Sequence, residues 1–459
     1  MASFTINDSQ DNVTGTGAND VITGGAAALQ SFDTIDGGGG FDRLITSTDP
    51  NGTQSPTIRN VEHIFLDTAG LPFDISNITG ARRLIADGAS IIFENVGTND
   101  LDIAYTGRNV QSGTVDLRFE DGALEASNDS LKLIAINSNM TFTSGSTYDS
   151  PGGSMNQTED ADRIESINLR LGGSENQVDI SDFASIGSFI LSGTATSKVT
   201  LDAPDLARID ATETTGGITL TNDIPGDQTV LGGSGDDDFK TGSGDDRLRG
   251  GEGDDVLNAG SGDNVVVGGA GDDEITTEQG ADNIAGGGGA DVISAGSGDD
   301  TIDGGFGNDE ITAGDGADTI RGGRNDDVIM GQGGADTIFD GMGADEVDGG
   351  GDNDTIIAGM GDDTFTGGGG VDTFRFTETS SFGEDTVTDF TLTSSTSTND
   401  IVEFNLGGAQ ALQSQQDFQD FADANGGAIT VDDATSTITI EADGGTIMLE
   451  VSDTDFLMV

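Results

Sequence analysis

A single apolar residue returns at every ninth position from Phe239 to Phe374, and glycine and acidic residues fill most of each interval. An amphipathic helix repeats its apolar positions at three and four residues and a half-buried strand at two. A period of nine fits neither, and predicts a turn-plus-strand unit copied along the chain. From Gly232 to Arg375 the sequence divides into sixteen such units without an insertion, beginning GGSGDDDFK, TGSGDDRLR, GGEGDDVLN and ending AGMGDDTFT, GGGGVDTFR. The eighth position is always apolar, as at Ile275, Ile302 and Ile338. The sixth is Asp at Asp237, Asp246, Asp255, Asp273, Asp282, Asp291, Asp300, Asp309, Asp318, Asp327, Asp336, Asp345, Asp354, Asp363 and Asp372, and Asn only at Asn264. Asn325 and Asp352 replace the fourth-position glycine. The first six residues of a unit predict a turn, because glycine supplies positive φ and close backbone approach. The last three predict a short strand with its apolar residue inward, so two units make an 18-residue coil and the array is expected to run for on the order of 40 Å.

A shorter patch near the amino terminus fits the same unit at Gly37 to Ile45, with Asp42 in sixth place, and two degenerate units precede it with Asp20 before Ile22 and Asp33 before Ile35. Between residues 50 and 230 the nonapeptide gives way to β-favouring runs such as HIFLD, SIIFEN, LKLIAI and KVTLD, separated by Gly, Asn and Asp. Some recur at about 20 residues, within the range of one coil of a parallel β-helix. Val178 to Gly193 compares with Val199 to Glu213 and with Phe73 to Gly88. After Arg375, Ala409 to Ala424 predicts a helix, and STITIEADGGTIMLEV a hairpin about Gly444 and Gly445. The expected fold is therefore all-β: an amino-terminal cap over 1–49, an irregular β-helix-like domain over 50–231, a β-solenoid over 232–375, and over 376–459 a small β-rich cap containing one helix.

Composition explains why this array needs a partner. The chain has 459 residues, 83 acidic against 17 basic, a net charge of -66, 74 glycines, and neither cysteine nor tryptophan. Such a balance repels nucleic acid and anionic membranes. No stretch approaches a membrane span, and the amino terminus lacks the basic and apolar regions of a Sec-type leader. One apolar side chain per nine residues is too thin a core to offset the ordering of the chain. Stacking would also bring the sixth-position carboxylates into register as like charges. A hard cation answers both problems: Ca2+ takes six to eight oxygens in flexible geometry, and glycine-rich turns expose carbonyls beside the carboxylates. Mg2+ demands a rigid octahedron, and Zn2+ lacks its usual His and Cys ligands. No EF-hand loop is present.

The unit GGxGxDxUx resembles the nonapeptide of the RTX family, a repeat known to bind Ca2+. The resemblance implies a parallel β-roll holding multiple Ca2+ ions between successive turns, with Asp20, Asp33, Asp42 and the fifteen array aspartates as ligands together with glycine carbonyls. The segments DTFRF, TDF, NDIVEF and the terminal DFLMV resemble the family's carboxy-terminal region. That region implies an uncleaved type I secretion signal and export from a Gram-negative cell to its surface or surroundings.

Catalytic signatures are scarce. HExxH, GxSxG and P-loop motifs are absent, and His63 is the only histidine, expected on a strand facing solvent. Tyr105 and Tyr148 are the only tyrosines, too few for the aromatic platforms usual in sugar-binding enzymes. The expected function is non-enzymatic: a structural protein similar to RTX surface-layer and biofilm-matrix proteins, self-assembling into a homo-oligomer, sheet or filament. Alternatives are a calcium-dependent adhesin that binds cell-surface polysaccharide and, less favoured, a polysaccharide lyase or epimerase.

Overall fold

The computed structural model describes residues 225–377 without a gap. Elsewhere it describes 2–6, 12–24, 34–46, 56–66, 72–74, 78–79, 81, 83–87, 91–96, 102–106, 112–119, 130–136, 139–145, 166–173, 175–179, 186–201, 206–221, 383–391, 400–405, 409–412, 429–432, 437–442 and 445–451. Among these residues the regular structure is entirely β, and no helix is long and apolar enough to cross a membrane. The chain forms two compact units, Met1–Thr241 and Gly242–Val459.

The first unit is a parallel β-solenoid with coils of unequal length. One column of strands is in register through Leu44, Ile64, Leu84 and Ile103. It continues through Leu133, Leu169 and Leu191. A second runs through Val178, Val199 and Leu220 to Phe239. The expected recurrence near 20 residues is thus the coil itself, since Val178 and Val199 are direct neighbours in the ladder. From Ile103 to Leu133 and from Leu133 to Leu169 the step lengthens to 30 and 36 residues, which hides the period in the sequence. A third, narrow column of Val13, Ile35, Ile58 and Ile78 belongs to the amino-terminal coils. Alternation places Ile35, Leu44, Ile58, Ile64, Leu84 and Val199 inside, each fully buried.

The second unit is a regular solenoid of 18-residue coils. Ile284, Ile302, Ile320, Ile338 and Ile356 stack in one column, and Ile275, Ile293, Ile311, Ile329 and Val347 in the other. All are at most 1% exposed. The strands are longer than the three residues expected: Thr301–Phe306 and its neighbours span six. Pairing runs on into the next unit, joining Asp303 to Arg321 and Gly305 to Gly323 while skipping Gly304. The glycines permit this because they lack the Cβ that would collide with the adjacent coil. At fourth position the backbone turns left-handed, and Asn325 and Asp352 adopt φ of 76° and 75° there. Asn and Asp tolerate that region better than other side chains.

Beyond the array the coils continue with longer steps, Phe374 pairing with Val402 and Phe365 with Val387. Phe365, Phe374, Phe376 and Phe390 close this end of the core, with ring centroids 6.2–6.5 Å apart. Thr437–Ala442 and Gly445–Val451 form the expected hairpin. The expected helix over Ala409–Ala424 requires correction at its start. Ala409–Leu412 is a strand paired antiparallel with Ile401–Asn405, because the edge left by that strand offers backbone partners. The remainder of that segment lies outside the described residues, as do Asp33 and the terminal DFLMV.

Candidate metal centre

Each turn of the array ends on its sixth-position aspartate, whose side chain folds inward beside the apolar core. In the second unit these residues form two ladders. Along one edge the backbone N–H of Asp255, Asp273, Asp291, Asp309, Asp327, Asp345 and Asp363 donates to Oδ1 of the acid one coil later, ending on Asp385, at 2.8–3.1 Å. Along the other, the ladder runs from Asp246 through Asn264, Asp282, Asp300, Asp318, Asp336, Asp354 and Asp372 to Asp400, at 2.7–3.0 Å. The aspartates are at most 3% exposed.

The second carboxylate oxygen is what the protein does not satisfy. Oδ2 of Asp273, Asp282, Asp291, Asp300, Asp309, Asp318, Asp327, Asp336, Asp345, Asp354 and Asp363 is buried with no donor among the described residues. Acceptors converge on it instead. A Cβ built on Gly268 would lie 2.2 Å from Asp273 Oδ2 and 2.7 Å from the Gly286 carbonyl oxygen of the next coil. The same cradle recurs at Gly286, with Asp291 Oδ2 at 2.3 Å and the Gly304 oxygen at 2.7 Å, and at Gly304, with Asp309 Oδ2 and the Gly322 oxygen both at 2.5 Å. A buried anion facing carbonyl oxygens is costly unless a cation or a proton joins them.

Asn264 shows what that position demands. Its Oδ1 accepts from Asp246 as an aspartate would, while its Nδ2 donates to the carbonyls of Gly262 at 2.9 Å and Gly260 at 3.3 Å. A donor placed on the side chain thus binds the turn carbonyls directly. Where aspartate stands, the donor set is all oxygen, charged and flexible, and fits Ca2+.

Electrostatics agree. Burial, reinforced by the acids of neighbouring coils and partly offset by the ladder hydrogen bond, pushes Asp291, Asp300, Asp327 and Asp354 up to about 7. Asp273, Asp336, Asp345 and Asp372 rise to about 6, and Asp385 to about 8. Asp282, Asp309, Asp318 and Asp363 are raised for the same leading reason, loss of hydration.

In the first unit the predicted residues behave differently from one another. Asp237 accepts from the N–H groups of Ile218 and Gly233 on its two oxygens. Asp20 accepts from Ala2 on Oδ1 and from the N–H and hydroxyl of Thr16 on Oδ2, and these bonds lower its pKa. Asp42 matches the array: Oδ1 accepts from the Asp20 N–H at 2.6 Å and Oδ2 is buried without a donor among the described residues. Its own N–H donates to Glu62. His63 packs edge-on against Phe41, with centroids 4.7 Å apart, and is half-buried rather than fully solvent-facing.

Glu62 follows Asp42 in the first unit, Asp385 and Asp400 extend the two ladders of the second, and none was foreseen from the nonapeptide spacing. All three precede an inward apolar residue by two positions, at Ile64, Val387 and Val402. That triplet survives where the nine-residue period is lost. Asp340 is a further acid outside the sixth position, fully buried, and its Oδ2 likewise lacks a donor among the described residues.

Residues 231–266, 240–275, 259–293, 276–311, 303–338 and 339–374 match the family model of the RTX calcium-binding nonapeptide repeat in overlapping sets. No curated protein matches the chain significantly. The matched stretch, residues 231–374, is the stretch that builds most of the oxygen-lined ladders, and this part of the β-solenoid consists of RTX calcium-binding nonapeptide repeats.

Proposed function

We propose that this is a non-enzymatic extracellular structural protein that folds on taking up several Ca2+ ions after type I export and then assembles with copies of itself into a surface layer or matrix filament. The observation that carries the reading is the row of buried Oδ2 atoms facing carbonyls without a donor. Asp42, Asp246, Asp255, Asn264's aspartate neighbours and the later array aspartates to Asp372, with Asp385 and Asp400, would hold the ions together with turn carbonyls. Bound Ca2+ would neutralise acids that otherwise repel across each coil. Ion binding and folding then form one equilibrium, unfavourable where calcium is scarce and favourable outside the cell.

Assembly is supported by an exposed column on one turn edge of the second unit. Phe306, Arg324, Met342 and Met360 succeed one another at the coil spacing. Phe306 is 58% exposed, with the Arg324 guanidinium 4.9 Å from its ring centroid. Apolar surface repeated at a fixed interval meets its own spacing on a second copy of the chain, and exposed apolar patches mark interaction sites.

Circular dichroism and electron microscopy with Ca2+ and with EGTA test both parts. The reading expects β signal and ordered sheets or filaments in calcium, both lost in chelator. A β signal of equal size in EGTA overturns calcium-coupled folding. Monodisperse particles in calcium overturn assembly and favour a polysaccharide-binding adhesin.

A further inference from the structure

We propose that Asp340, Asp345 and Asp363 form a three-carboxylate site that takes a hard divalent cation of the Ca2+ class more tightly than the ordinary rungs of the ladder. This rests on the calcium reading above and concerns an acid that the repeat pattern does not contain. Asp340 stands at first position of its unit, in a column that reads Gly286, Gly304 and Gly322 before it and Ala358 after it. At those glycines the cradle beside the carboxylate is bare backbone. Here a side chain enters it.

Ligand atoms of Asp340, Asp345 and Asp363 all lie within 4.8 Å of one another. The three residues are 0%, 2% and 1% exposed, and Oδ2 of each has no donor among the described residues. The hydrogen bond made to Asp340 comes from the Gly341 N–H, at 2.5 Å, and falls on Oδ1. Three acids so close, shut away from water, require either shared protons or a cation. A proton-sharing cluster would work as well with an amide at 340. A cation site would not, since Ca2+ affinity follows the number of charged ligands.

The test is a competition titration of the full chain against a fluorescent calcium chelator, with Asp340→Gly restoring the usual first-position residue and Asp340→Asn keeping the shape without the charge. Wild type should show a first Ca2+ equivalent bound about tenfold or more tightly than the rest, and both variants should lose that step while keeping the later ones. Circular dichroism at saturating Ca2+ should give the same β signal for all three, which separates loss of a site from loss of the fold. A tight step retained in either variant, or a single class of sites in wild type, overturns the proposal. If wild type binds no Ca2+ at all, the calcium reading falls with it. If wild type folds on Ca2+ and the variants bind identically, this inference alone fails.

Discussion

Asn264 donates its side-chain amide to the Gly262 carbonyl oxygen at 2.9 Å, across a turn where the neighbouring coils of the same edge place Asp282 and Asp300. The amide supplies from within the chain a positive partner that the aspartate rungs must obtain from outside. Asn264→Asp should therefore reverse sign with the medium. Without calcium it should lose about 1–3 kcal/mol by leaving buried acceptors unmatched. With calcium it should gain an ion-binding rung. Urea melts in EGTA and in calcium, with flow dialysis for stoichiometry, check both halves.

The cradle predicts a contrast between two glycines two residues apart. A methyl at Gly286 would meet Asp291 Oδ2 at 2.3 Å, whereas one at Gly288 would have the Phe306 Cβ at 4.0 Å as its nearest neighbour. Gly286→Ala should lower calcium affinity and the thermal midpoint in calcium, and Gly288→Ala should leave both nearly unchanged. Equal effects would remove the cradle from the account.

The pH dependence should differ between metal-free and calcium-loaded protein. The folded carboxylates of Asp291, Asp300, Asp327 and Asp354 titrate near 7, against an ordinary value of 3.8. In that interval the folded state holds more protons than the unfolded chain, so metal-free stability falls as pH rises. The contribution is fully present below the ordinary value and lost as pH passes 6 to 7. Metal-free protein should gain β signal near pH 4 and lose it by pH 7.5, while calcium-loaded protein should strengthen with rising pH because protons compete with the ion. Circular dichroism across pH with and without EGTA reads both slopes.

Removing one mid-ladder charge should also act in opposite directions. Asp318 Oδ1 accepts from the Asp300 N–H at 2.7 Å, and its Oδ2 is buried without a donor among the described residues. Asp318→Asn keeps the first contact and adds an amide donor like that of Asn264. Its metal-free form should be more stable than wild type, and its calcium stoichiometry should fall. Equilibrium unfolding paired with calcium titration measures each.

The array was legible because its period is strict: the apolar position recurs in every unit and the acidic one in all but that of Asn264, and Ile302, Ile320 and Ile338 stack as their spacing implied. The first unit was legible only in part. Val178 and Val199 keep the coil length, but 36 residues separate Leu133 from its partner Leu169, and so long a step erases periodicity without breaking the ladder. Asp385 and Asp400 were hidden for the same reason, standing 22 and 28 residues after the acids they follow. Asp340 was hidden differently. It occupies a glycine position, and nothing in the linear pattern says that this position faces the carboxylates.

A ladder this uniform carries a penalty in uniqueness. Sliding one edge of the array by 18 residues would set isoleucine on isoleucine and aspartate on aspartate, so a misaligned chain could satisfy almost every contact of the correct one. The irregular end decides the alignment. The 22- and 28-residue steps to Asp385 and Asp400 and the cluster of Phe365, Phe374 and Phe390 stand at the close of the array, and no slid register reproduces them. The departures from the repeat thus serve as registration marks, by which an otherwise translationally degenerate polymer finds a single threading.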